Sequence, residues 1–176
     1  MKYLNFTLKF LLFIAMAVLF LCKEKKDSSI MTVKVKIEPK NNSLTTGEVV
    51  FLKLDNKKTK LIAEINGLSP GKHGFHIHEK GDCSSLDGKS AGGHWNPDKK
   101  KHGSPDSQEK HAGDLGNLTA DESGRAKLEF ISTKLKFKGK FSVLGRAVII
   151  HEKEDDSTTQ PTGAAGKRVG CGVIKL

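Results

Sequence analysis

The chain has 176 residues, a formal net charge of +10, 36% apolar residues and 6% aromatic residues. That length suits one domain with one core, and the modest apolar and aromatic content argues for a small, loop-rich β domain and against a helical bundle. The positive charge attracts anions, but no aromatic residues interleave with the lysines as a nucleic-acid platform requires, so nucleic acid is not an expected partner.

In chain order, residues 1–22 read as a signal segment. Lys2 and Lys9 give it a positive start, and residues 10–21 (FLLFIAMAVLFL) form an unbroken apolar run of twelve. A membrane span needs roughly 20 apolar residues, so the run fits an export signal better than an anchor helix. Cys22 follows at once, ahead of the charged stretch 23–27. This placement resembles a bacterial lipoprotein signal. It implies lipidation of Cys22, membrane contact only through that lipid, and a place in the cell envelope or periplasm. Leu21 departs from that pattern, which has a small residue before the cut. Residues 23–30 read as a polar tether and 31–176 as the folded domain.

The body of the chain alternates. Val33, Val35 and Ile37 are separated by lysines, the period of a half-buried strand. Residues 49–54 and 60–65 repeat the pattern across a turn at 55–58. Further strands are expected over 74–79, 115–120, 125–131, 142–151 and 169–176, with a hairpin turn at 121–124. No segment after the signal sustains a 3.6-residue period. Many short strands with turn signals point to an all-β sandwich or barrel. Two stretches, 80–113 and 153–167, have little strand character and need something to pin them. The first holds Cys83, His94, His102 and His111; the second runs from His151 towards Cys171. Metal bonds and a disulfide can order such loops. With Cys22 set apart, two cysteines remain, and an even pair in an exported protein points to a disulfide.

Seven histidines carry the chemical signal. His76 and His78 lie two apart on a predicted strand and so project from one face. Imidazoles suit copper and zinc, but an H-x-H pair alone leaves cupin sites and three-histidine zinc enzymes open. His94, His102, His111 and Asp114 follow at intervals of eight, nine and three. Three imidazoles and a carboxylate make a four-coordinate set suited to zinc.

The segments GFHIHEKGDC (74–83), SAGGHWNP (90–97), KHGSP (101–105), HAGDLGN (111–117), GRAVIIHEKEDD (145–156) and GKRVGCGVI (166–174) resemble, in order, the copper–zinc superoxide dismutase family. The resemblance implies an eight-stranded antiparallel Greek-key barrel or immunoglobulin-like sandwich with two long functional loops. It implies one copper held by His76, His78, His94 and His151, and one zinc held by His94, His102, His111 and Asp114. His94 would bridge the two as an imidazolate, which only a ring with two opposed nitrogens allows. Cys83 and Cys171 match the family's disulfide. Arg168 matches an arginine beside copper that docks superoxide, and Asp155 a carboxylate joining His76 to His102. The implied reaction is dismutation of superoxide to oxygen and hydrogen peroxide by alternating reduction and oxidation of copper. The first half would release His94 from copper and protonate it.

A non-catalytic copper-binding or buffering protein of the same fold is the alternative. Such members tend to lack a ligand or the arginine, and this chain has all of them. The resemblance leaves open monomer or homodimer. His73, the seventh histidine, reads as structural. Two features depart from the family pattern: Trp95 after His94, and the short loop 153–167, with few acidic residues. The second puts the fine steering of substrate in doubt.

Overall fold

The computed structural model describes residues 31–55 and 57–176. The expected signal at 1–22, Cys22 and the tether at 23–30 lie outside the described residues. Eight strands follow: β1 (Thr32–Pro39), β2 (Thr46–Lys53), β3 (Thr59–Asn66), β4 (Gly71–His78), β5 (Asp114–Ala120), β6 (Ala126–Ser132), β7 (Arg146–His151) and β8 (Arg168–Ile174). All neighbours pair antiparallel, and the order β1-β2-β3-β6-β5-β4-β7-β8 closes on itself as a barrel. Closure pairs the strand edges that an open sheet would expose. Among the described residues the helical content is one 3₁₀ turn, Lys89–Ala91.

The alternation read from the sequence decides which face enters the barrel. Val33, Val35 and Ile37 of β1 are buried while Lys34 and Lys36 are exposed. Val49 and Phe51 of β2, with Leu61, Ala63 and Ile65 of β3, meet them inside. All eight expected strands are present, with shifted ends. The largest correction is the strand expected over 142–151, which starts only at Arg146. Its first residues are taken by a separate excursion: Ser142 N–H donates to Gly139 O (3.0 Å) and Val143 N–H to Lys136 O (2.9 Å).

Strands β4 and β7 are buried on both faces, which positions the site. Phe75 and Ile77 of β4, and Val148 and Ile150 of β7, point into the core. The alternate residues face outward beneath the two long loops. There Ala147 and Ile149 of β7 pack with Ala91 and Cys171, and Cys83 lies against them. Cys83 and Cys171 are joined by a disulfide, which ties the first loop to β8. Strands β8 and β1 also fit closely against each other. A Cβ on Gly172 would lie 2.5 Å from the Lys36 carbonyl oxygen of β1.

Candidate metal centre

His76 and His78 stand on the outward face of β4, and His151 ends β7. Pairing of β4 with β7 brings these three rings together, with His76 5.0 Å from His151 between ring centroids. His94 comes from the first loop, but its segment is stitched to β4. Trp95 N–H donates to Ile77 O (2.9 Å) and Glu79 N–H to Gly93 O (3.0 Å), so that His94 lies in a bridge opposite His78. The ring of His94 sits 4.0 Å from that of His76 and 5.0 Å from that of His78. His102 and His111 arrive from the rest of the loop, and Asp114 from the first position of β5. Every one of these side chains is buried.

The residues fall into two groups that share one member. His76, His78, His94 and His151 form the first; His94, His102, His111 and Asp114 form the second. Within each, the nitrogen and oxygen atoms lie within 4.8 Å of one another. Asp114 Oδ1 is 2.9 Å from His94 Nδ1 and 3.3 Å from His111 Nδ1, and Oδ2 is 3.1 Å from His102 Nδ1. Four ligands at about 2.0–2.1 Å from one tetrahedral ion stand roughly 3.3 Å apart, so this spacing suits zinc.

The hydrogen bonds show which nitrogen each ring keeps free. The His78 Nδ1–H donates to Gly92 O (2.9 Å) and the His151 Nδ1–H to Gly166 O (3.3 Å). The His76 Nε2–H donates to Asp155 Oδ2 (2.7 Å) and the His102 Nε2–H to Asp155 Oδ1 (2.9 Å). What remains is His76 Nδ1, His78 Nε2, His94 Nε2 and His151 Nε2 in the first group, and His102 Nδ1 and His111 Nδ1 in the second. All are buried without a hydrogen-bond partner. Leaving so many buried polar atoms unmatched is costly unless something else binds them. Converging imidazole lone pairs are the donor set that copper and zinc take, so the residues fit both ions.

The electrostatics match. Burial holds His78 and His151 well below the ordinary imidazole pKa, with Arg168 contributing to both. Burial also lowers His94 to about 4, despite its bond to Asp114. These rings are therefore neutral and able to ligate at neutral pH. Burial works against the charged form of His102, yet the nearby carboxylates of Asp114 and Asp155 raise it to about 9. Burial would raise both carboxyls, but their imidazole partners hold Asp114 and Asp155 well below the usual range. Two carboxylates around His102 favour a positive charge there, whether a proton or a metal ion.

Asp155 thus touches one histidine of each group, as the sequence resemblance implied. Three residues that hold Asp155 and His102 in place were not foreseen. Asn117 on β5 clamps it, with Nδ2 donating to Asp155 O (2.9 Å) and Oδ1 accepting from Asp155 N–H (2.8 Å). Gln160 clamps His102 in the same two-handed way, at 2.9 and 3.0 Å. Gly163 has φ 68°, and a Cβ there would lie 2.0 Å from Asp155 Oδ1. No side chain fits between Asp155 and His102 at that point.

Arg168 opens β8 with its guanidinium fixed by two carbonyls of the first loop, Gly88 and Gly92, each at 2.7 Å. His73 lies apart from both groups. Its ring bonds to the backbone oxygens of His151 and Ser69 at 2.8 Å, a structural role. Trp95 turns away from the histidines into the core, where its ring lies 6.4 Å from Phe141 and 4.5 Å from the Arg146 guanidinium. In the second loop, Glu154 pairs with Lys72 (2.7 Å), and Asp156 accepts from the backbone of Thr158 and Thr159 (2.9 and 2.8 Å). These acids hold the loop together.

Comparison with known proteins places this geometry. A family model described as copper/zinc superoxide dismutase matches residues 45–174. The chain is 45% identical over 136 residues to a Cu-Zn superoxide dismutase of Paramecium bursaria Chlorella virus 1, covering 73% of this chain and 71% of the viral protein. It is 40% identical over 147 residues to an extracellular Cu-Zn superoxide dismutase of Drosophila melanogaster, covering 77% and 78%. Among solved structures, the clock protein EA4 superposes with a TM-score of 0.76 at 35% identity, over 85% of this chain and 96% of that one.

Proposed function

The chain belongs to the copper/zinc superoxide dismutase family, and on that premise we propose a role for each residue of the double cluster. The reaction is dismutation of superoxide to oxygen and hydrogen peroxide, with copper and zinc as cofactors. In our reading His76, His78, His94 and His151 hold copper, and His94, His102, His111 and Asp114 hold zinc. The observation that carries it is the shared ring: His94 belongs to both groups, with Nδ1 against Asp114 and a bare Nε2 facing the other histidines. Copper supplies alternating one-electron oxidation and reduction, and zinc a fixed charge without redox change.

The chain's own residues do the rest. Arg168 presents a permanent positive charge next to His78 and His151, held there by Gly88 and Gly92. It draws the anion in and docks it. His94 Nε2 is the atom that holds a proton on its way to peroxide. Asp155 keeps His76 and His102 in the tautomer that leaves Nδ1 bare, the part an outer carboxylate plays at metal sites. A copper-buffering role without turnover is not favoured, because every ligand and the arginine are present. A zinc enzyme built on His76 and His78 alone leaves the second group and the disulfide without a purpose.

Metal analysis of the purified chain should return one copper and one zinc per molecule, with dismutase activity rising on copper loading. Zinc at the His76 and His78 group in place of copper would defeat the assignment. For Arg168→Ala we expect at least about a tenfold loss of rate and loss of its decline with salt, since screening weakens steering by a fixed charge. Arg168→Lys should recover part of both. An unchanged salt profile in the alanine variant would remove Arg168 from the mechanism.

We place the enzyme outside the cytoplasm. A disulfide between Cys83 and Cys171 suits an oxidising compartment, and the Drosophila melanogaster relative is named extracellular. A lipid tether at Cys22 is the finer proposal, resting on the apolar run at 10–21 and the cysteine directly after it. Labelled fatty acid fed to expressing cells should mark the wild type and not Cys22→Ser.

A further inference from the structure

We propose that one end of the barrel, rich in lysine, is a docking surface for an anionic membrane. Two loops build it. Residues 133–145 contain Lys134, Lys136, Lys138 and Lys140 at every second position. Leu135 and Phe137 between them are 1% and 6% exposed, so they anchor the loop in the core and turn the lysines outward. The end of β2 and the loop after it contribute Lys53, Lys57 and Lys58. The two loops meet: Lys136 Nζ donates to the Lys57 carbonyl. Lys53, Asp55, Lys136 and Lys138 line one depression of about 320 Å³.

Charge balance singles out this end. Along the barrel wall lysines are paired across strands, Lys34 with Glu48 (3.3 Å), Lys60 with Glu129 (2.6 Å) and Lys127 with Glu64 (2.7 Å). At the lysine-rich end two carboxylates meet the lysines. Asp98 is shared by Lys134 and Lys140, and Asp55 accepts the backbone N–H groups of Lys57 and Lys58. Leu54, at the tip of the same surface, is 42% exposed, an apolar side chain among cations. Cations around an exposed leucine suit a headgroup region better than a smooth polyanion.

The path of the chain says what covers the surface. Met31 lines the same depression, and its carbonyl accepts the Lys53 N–H (2.9 Å). The apolar run at 10–21 ends only ten residues earlier. An extended chain spans at most about 3.6 Å per residue, so the lysine-rich end stays within roughly 35 Å of any membrane holding that run or a lipid on Cys22. The arrangement also leaves substrate access free. Arg168 begins β8, whereas the excursion carrying the lysines joins at the other end of that strand, where Gly145 N–H donates to Ile174 O (2.9 Å). The docking surface does not depend on the roles proposed for the histidines, whereas the choice of a membrane as its occupant rests on the 10–21 run or a lipid on Cys22 holding the chain there.

The test uses the intact chain and vesicles of phosphatidylcholine alone or with one-third phosphatidylglycerol. At low salt, wild type should bind the anionic vesicles at least about tenfold more tightly than the neutral ones, and the excess should vanish at high salt. Lys134→Gln, Lys136→Gln, Lys138→Gln and Lys140→Gln together should abolish most of that excess. A control with Lys34→Gln, Lys36→Gln, Arg125→Gln and Lys127→Gln removes the same charge elsewhere and should keep it. Circular dichroism and dismutase rate report that both variants fold. Equal loss in the two variants would reduce the effect to net charge and overturn the proposal. So would displacement from the vesicles by a soluble polyanion such as a sulfated polysaccharide at lower concentration than by anionic lipid. Binding to neutral vesicles reads the N-terminal segment alone, so failure of the tether and failure of the docking surface give different results.

Discussion

His94→Ala is expected to lower dismutase activity by at least roughly a hundredfold while leaving the barrel folded. Carboxylates that only orient a metal-bound histidine are worth about 10–100-fold in affinity or activity when removed. His94 reaches both groups directly, with its ring 4.0 Å from His76, 5.4 Å from His102 and 5.6 Å from His111. Its loss should therefore weaken both ions at once and remove the spectroscopic coupling between them. The strands do not depend on it, because β4 and β7 pair through their backbones and pack through Phe75, Ile77, Val148 and Ile150. Far-UV circular dichroism should stay native, and metal analysis should show reduced zinc as well as reduced copper. Full zinc retention, with the coupled copper spectrum intact, would disprove the bridge.

The second large effect is on stability. Cys83→Ser with Cys171→Ser opens a loop of 88 residues. The chain-entropy account assigns a loop of that length about 4–5 kcal/mol, a large share of the 5–15 kcal/mol typical of a domain. The melting temperature should fall by roughly 15–20 °C. A catalytic loss should accompany it, because the same tether positions the carbonyls of Gly88 and Gly92 that fix Arg168. Adding Arg168→Ala to the serine variant should then cost less than it costs the wild type, since the two changes act on one arrangement. Full additivity of rate losses would show that the disulfide stabilises the fold without orienting the arginine.

What could be read in advance followed the range of the interaction. Alternation along Val33, Val35 and Ile37 needs no knowledge of the partner strand, and the eight strands were legible from such patterns. The pair His76 and His78 shares a face by strand geometry alone, and His111 with Asp114 lies within one loop end. His151 joins the first group only because β7 pairs with β4, and family resemblance supplied that register before the fold did. Asn117, Gln160 and Gly163 had no such signal. Asn117 acts on Asp155 across 38 positions, Gln160 on His102 across 58, and Gly163 by leaving room beside both. An amide or a glycine in a loop looks like any other until the two loops are folded against each other. The end of β7 misled for a related reason. Residues 142–145 have strand composition, but the turn at Gly139 returns their backbone to Lys136.

The two histidine groups are held by different kinds of structure. His76, His78 and His151 stand on strands whose ladders close without any ion, and the first group lacks only His94 from the loop. His102 and His111 hang on a stretch with no ladder, fastened mainly through Asp114, Asp155 and Gln160. On the assignment proposed above, the copper group would form with the barrel, whereas the zinc group would need its own ion to order the loop, so zinc removal should fray that flank and leave the barrel intact.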